Sequence, residues 1–80
     1  MNVGIIGSGG REHALCLKIK DSNLVKNIYC FPGNAGTSLI AKNIEIDINN
    51  FNEIRKKALE KNITLLICFY SLKSQKLTAL

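Results

Sequence analysis

The sequence predicts a small α/β domain, a Rossmann-like parallel sheet of about four strands with flanking helices. Three observations carry this. Apolar runs of strand length alternate with helix-compatible stretches, the order that builds βαβ units with right-handed crossovers. The first run, Val3-Gly4-Ile5-Ile6, is apolar on consecutive positions, as a strand buried on both faces must be. It leads straight into Gly7-Ser8-Gly9-Gly10-Arg11-Glu12-His13, so strand, glycine turn and helix stand in series.

The elements follow in order. Asn2 to Ile6 is the first strand. The helix after the turn runs from about Arg11 to Lys20, with Ala14, Leu15, Cys16, Leu17 and Ile19 as a broad apolar stripe and Lys18 and Lys20 outside it. Asp21-Ser22-Asn23 stops it. Asn27 to Phe31 is the second strand, broken by Pro32-Gly33-Asn34-Ala35-Gly36-Thr37. Pro32 donates no ladder bond, and Gly33, Asn34 and Gly36 tolerate positive φ. Ser38 to Ala41 fits one helical turn. Ile44-Glu45-Ile46-Asp47-Ile48 alternates apolar and acidic residues, as a half-exposed strand or extended segment does. Asn50 is placed to cap a second helix, with Glu53 three residues on. That helix shows Phe51, Ile54, Ala58 and Leu59 on one face and Arg55, Lys56 and Glu60 on the other. Asn62 closes it, and Ile63 to Cys68 is a last buried strand. Residues 69–80 have no clear period, which fits a short helix or a frayed tail. The division expected is a domain over residues 1–68 and a divergent tail over 69–80.

Composition excludes several classes. Of 80 residues, 46% are hydrophobic and 21% charged, ordinary for a globular chain. No apolar run reaches the roughly 18 residues of a membrane span, and no signal peptide is visible, so a cytoplasmic location is expected. The cysteines, Cys16, Cys30 and Cys68, form no Cys-x-x-Cys pair, and His13 is the single histidine, so no metal site is expected. All three thiols are expected in the core, reduced. The charge of +5 is spread from Arg11 to Lys76. Its densest cluster, Arg55-Lys56-Lys57, lacks interleaved aromatics and fits a solvated helix face, so nucleic acid is not an expected partner.

The two glycine loops carry the chemistry. A strand–glycine turn–helix aims backbone N–H groups and the positive end of a helix dipole at an anion. The same residues also serve as a plain tight turn. The second loop, Pro32 to Thr37, stands at what is expected to be the carboxyl end of a strand, the ligand-facing edge of an open α/β sheet. A dinucleotide is disfavoured. The fingerprint G-x-G-x-x-G needs glycine where Glu12 stands, and no acid follows the second strand, where Cys30-Phe31-Pro32 lies. A P-loop fails because no Gly-Lys-Ser/Thr follows the glycines. A phosphorylated small molecule suits the loop better.

Gly7 to Leu15, followed by Pro32 to Thr37, closely resembles the N-terminal domain of the phosphoribosylamine–glycine ligases (glycinamide ribonucleotide synthetases). The likeness extends over roughly residues 1–67, the first, pre-ATP-grasp domain of a longer enzyme. The resemblance implies a purine-biosynthesis ligase of the ATP-grasp class that joins glycine to 5-phosphoribosylamine using ATP and Mg²⁺. It places the ATP and Mg²⁺ sites in later domains and no cofactor in this stretch. It implies that this domain helps hold phosphoribosylamine or another phosphorylated sugar. The substrate-binding residues it implies are Gly7, Ser8, Gly9, Gly10, Arg11, Glu12 and His13, with Pro32, Gly33, Asn34, Gly36 and Thr37. Backbone N–H groups of Gly7 to Arg11 would meet phosphate or ribose. Glu12 and His13 would orient the helix start or the ribose, and no residue is assigned a catalytic role.

One departure stands out. The family carries a Gly-Pro-Glu turn after the fourth strand, whereas Cys68 is followed here by Phe69-Tyr70-Ser71-Leu72. Truncation or frameshift is the simplest account, and the chain alone is expected to be inactive. The alternatives are a stand-alone, non-catalytic module for a phosphorylated ligand and a degraded gene product. Each residue also has a plainer role. Arg11 fits a solvated first-turn position, Glu12 answers the helix dipole, His13 fits packing or capping, and Asn34 and Thr37 fit stabilisation of their own loop.

Overall fold

A computed structural model describes residues 1–68 and the backbone of 77–79. Strands β1 (Asn2–Gly7), β2 (Asn27–Pro32), β3 (Lys42–Asn43), β4 (Ile63–Cys68) and β5 (Leu77–Ala79) form one sheet in the order β3-β2-β1-β4-β5. The first four are parallel, as the alternating pattern predicts, and β5 pairs antiparallel to β4. Helices α1 (Gly10–Ile19) and α2 (Phe51–Glu60) cover the two faces, and a short 3₁₀ turn spans Thr37–Leu39.

Each face has its own core. Val3, Ile5, Ile28 and Cys30 meet Cys16 of α1 on one face. Ile6, Tyr29, Phe31, Ile63 and Leu66 meet Ile54 and Ala58 of α2 on the other. Successive residues of β1 therefore serve opposite cores, which is why the run is continuously apolar. The Asn50 side chain caps α2, accepting from Glu53 N–H at 3.2 Å. Asn62 ends the turn after α2 at φ +56°, a conformation asparagine tolerates better than most residues.

Several expectations need correction. The third strand is Lys42–Asn43, and of the two readings of Ile44 to Ile48 the structure gives the extended segment. Ile44, Ile46 and Ile48 do turn toward the α2 core, with Glu45 and Asp47 exposed, but as extended chain without a ladder. The ladder stops because its neighbour ends at Pro32, which has no N–H for another rung. The apolar stripes are narrower than the sequence suggests. Leu17 is exposed on α1, and Phe51 and Leu59 are exposed on α2. Cys68 is only half-buried, while Cys16 and Cys30 are fully buried. Leu77–Ala79 is an edge strand rather than part of a helix or tail. The rest of that reading, residues 69–76 and 80, lies outside the described residues. Among the described residues no helix is long and apolar enough to cross a membrane.

Candidate functional site

The two glycine loops leave the sheet side by side. Gly7 and Pro32 are the last register pair of β1 and β2, both at the carboxyl ends of their strands. Gly33 N–H donates to Gly7 O at 3.1 Å, joining the loops at their roots. The Asn34 side-chain amide then donates across the gap to Ser8 O at 2.7 Å and Gly9 O at 3.3 Å. Two motifs some 25 residues apart are thereby fastened into one edge.

The second loop is held from within. Thr37, fully buried, accepts Asn34 N–H at 2.8 Å through its hydroxyl and donates its own N–H to Asn34 Oδ1 at 2.9 Å. The hydroxyl lies 2.7 Å from Asn43 Oδ1, to which it donates. The Asn43 side-chain amide donates to Asn34 O at 2.8 Å. Gly33 sits at φ +77°, and a Cβ there would strike Asn43 and Thr37, so both backbone and space demand glycine. Asn43 is a member of this site that the sequence did not reveal. It follows the loop by several residues, and no local motif marks it.

The first loop carries a device that the sequence left open. Glu12, 7% exposed, folds back so that Oε1 accepts Gly9 N–H at 2.7 Å. This is half of a capping box, since the N-cap is Gly9 and has no side chain for the reciprocal bond. The carboxylate also fills the space under Gly7, where a Cβ would lie 2.7 Å from Glu12 Cδ. The Gly9 N–H, which the sequence offers to a ligand, is engaged here by the Glu12 carboxylate. The first intrahelical bond runs from His13 N–H to Gly9 O at 3.2 Å. The helical ladder therefore leaves the N–H groups of Gly10 and Glu12 outside it, at the positive end of the α1 dipole.

The other predicted residues sort by position. Gly10 faces open space, with no atom within 4 Å of where a Cβ would stand. Arg11 and Ser8 are exposed on the same rim. His13, half-buried, lays its ring against Gly36, where a Cβ would come within 2.5 Å of Cε1. That contact ties α1 to the second loop. The structure thus brings Gly7 to His13 and Pro32 to Thr37 to one edge. Glu12, His13 and Thr37 face inward as supports, and Gly10 and Arg11 form the open rim. Among the described residues no group of three or more His, Cys, Asp or Glu side chains is placed to hold a metal ion.

This is an α/β domain whose sheet carries, at the carboxyl ends of β1 and β2, a paired glycine loop over a helix N-terminus. The family model for the phosphoribosylglycinamide synthetase N domain matches residues 1–69, and the chain belongs to that family. It is 47% identical over 66 residues to a phosphoribosylamine–glycine ligase of Rhodopirellula baltica, a match covering 82% of this chain and 15% of that protein. It is 39% identical over 67 residues to the ligase of the same name from Caldanaerobacter subterraneus, covering 84% of this chain and 16% of that protein. A trifunctional purine biosynthetic protein of Drosophila pseudoobscura is 41% identical over 71 residues, covering 82% of this chain and 5% of its own length. The chain spans about 15% of the length of the ligases it matches.

Proposed function

We propose that this chain supplies the phosphoribosyl-holding edge of a phosphoribosylamine–glycine ligase, which joins glycine to 5-phosphoribosylamine at the expense of ATP. The observation that carries this is the Asn34 bridge to Ser8 and Gly9, which makes one binding edge of two separate motifs. The phosphate is a handle remote from the reacting amine. Binding energy gained there orients the amine without touching the bond that forms. The α1 N-terminus and Arg11 offset the phosphate charge, and Gly10 lets the anion approach the backbone. Pro32 to Thr37 stands where the sugar emerges, on a loop stiffened by Thr37 and Asn43.

The work of this chain in that reaction is to bind and place the sugar phosphate. The test is a chimera in which residues 1–68 replace the matching segment of the Rhodopirellula baltica relative. The expected result is formation of glycinamide ribonucleotide with a KM for phosphoribosylamine within about tenfold of the parent, roughly 1.4 kcal/mol. A folded chimera that binds ATP but forms no product contradicts the proposal.

A further inference from the structure

Directly beneath the paired loops, on the α1 face of the sheet, the Cys16 and Cys30 sulfurs lie 3.4 Å apart. Cys16 is on the buried side of α1 and Cys30 is near the middle of β2. Both are fully buried, and they are brought together by the packing of α1 onto the sheet. We propose that Cys16 and Cys30 form a reversible intrachain disulfide that fastens α1 to β2 under the glycine loops.

The geometry favours this pair alone. A disulfide needs the sulfurs at about 2.05 Å, so the present contact must shorten by roughly 1.4 Å, a small shift for two side chains already facing each other. The third thiol has no access to either. Cys68 pairs in register with Ile6 and packs with the α2 core, whereas Cys30 pairs with Ile5 and packs with the α1 core. The sheet itself stands between Cys68 and the pair.

The oxidant is a peroxide, small enough to enter when α1 lifts. One thiol loses its proton and attacks a peroxide oxygen. The O–O bond breaks, water leaves, and a sulfenic acid remains. The second thiol then attacks that sulfur, the S–S bond forms, and the sulfenic oxygen departs as a second water. Two thiols and one hydrogen peroxide thus give one disulfide and two waters. Burial keeps both thiols protonated, with Cys16 pushed up to about 12. The reaction is therefore slow in the folded chain and answers sustained oxidant rather than a brief pulse. The bond is also felt above, because Cys30 stands two residues before Pro32, which pairs with Gly7 at the root of the second loop.

The experiment treats the full chain with hydrogen peroxide in native buffer and, separately, in about 6 M guanidinium. Trypsin leaves the three thiols on three different peptides, 12–18, 27–42 and 62–73, so mass spectrometry without reduction identifies each link. In buffer the expected product has lost about 2 Da and carries a Cys16–Cys30 link that dithiothreitol reverses. That link outnumbers links to Cys68 by about tenfold or more, since only one pair is prepositioned. Cys68→Ser leaves it unchanged, and Cys30→Ser removes it while the circular dichroism spectrum stays that of the parent. In guanidinium the preference falls as Cys68 joins. Cys68 links as abundant in buffer as Cys16–Cys30 overturn the proposal. So does a folded chain that yields no intrachain link after the half-buried Cys68 has been oxidised.

Discussion

Replacing Glu12 with alanine is expected to cost more than any surface position on α1 should. The carboxylate is buried at 7% exposure and accepts Gly9 N–H at 2.7 Å. A hydrogen bond to a charged group is worth about 1.5–3 kcal/mol, and a negative charge in the first helical turn adds about 0.3–1 kcal/mol. Glu12→Ala therefore destabilises by about 2–4 kcal/mol. A chain of 80 residues has a total stability of about 4–12 kcal/mol, so this is a large share of it. Urea unfolding followed by circular dichroism is the assay. With a slope of about 1–1.5 kcal/mol per molar, the midpoint falls by at least about 1.3 M. Glu12→Gln keeps an acceptor oxygen but loses the charge, and is expected to cost about half as much. A Glu12→Ala midpoint within about 0.3 M of the parent would refute the reasoning. A Gln variant as weak as the Ala variant would show that charge alone matters and the bond to Gly9 does not.

The glycines of the site separate by the space around them. Gly36→Ala forces the His13 ring away from the second loop and is expected to cost about 1–3 kcal/mol, whereas Gly10→Ala meets nothing and gains about 0.4–1 kcal/mol, both read from urea midpoints. Equal effects of the two would contradict the assigned geometry. Alkaline pH is expected to weaken the fold. The folded chain holds the Cys16 proton to about pH 12, while the ordinary thiol value is 9.0, so the stability that this group contributes is complete below pH 9 and is lost as pH climbs toward 12. Above pH 9 the slope is about 1.4 kcal/mol per pH unit from this thiol, and Cys16→Ala should flatten the parent's pH profile by that amount. The chain alone, which spans about 15% of its ligase relatives, is expected to release no ADP above background when given ATP, glycine and phosphoribosylamine. ADP formation that copurifies with it would contradict that.

What the sequence discloses is mostly what the backbone alone decides. Val3 to Ile6 and Ile63 to Cys68 are apolar on consecutive positions, and a central parallel strand has no other way to be buried. Gly7, Pro32 and Gly33 announce loops because positive φ and a missing N–H are properties of the residues themselves. The hidden features depend on partners far along the chain. Ile44 to Ile48 shows which side faces the core, but period-2 alternation says nothing of hydrogen bonding, and the ladder is cut by Pro32 of another strand. Glu12 reads as a first-turn acid that answers the helix dipole, and its burial is explained by the gap under Gly7 and the Gly9 N–H, which exist only once the turn is folded. Leu17, Phe51 and Leu59 follow helical spacing yet lie at the margins of stripes that the narrow sheet does not cover. The site followed the same rule. Its two loops were legible, but the Asn34 bridge and the Asn43 brace were not, since neither pairing has a local signature.

The central claim, that the two loops form one edge for a phosphoribosyl group, is tested most directly by an amide NMR titration of the full chain. Phosphate, ribose 5-phosphate and NAD are added in turn at one ionic strength. Phosphate is expected to bind at about millimolar strength, near −4 kcal/mol, with shifts centred on Gly7 to His13. Ribose 5-phosphate is expected to bind at least as well and to extend the shifts to Pro32 to Thr37, and NAD to show no advantage. Asn34→Ala, which cuts the bridge to Ser8 and Gly9, should abolish the gain from the sugar while leaving phosphate binding in place. Shifts that centre elsewhere, or an Asn34→Ala chain that still distinguishes ribose 5-phosphate from phosphate as the parent does, would contradict the account.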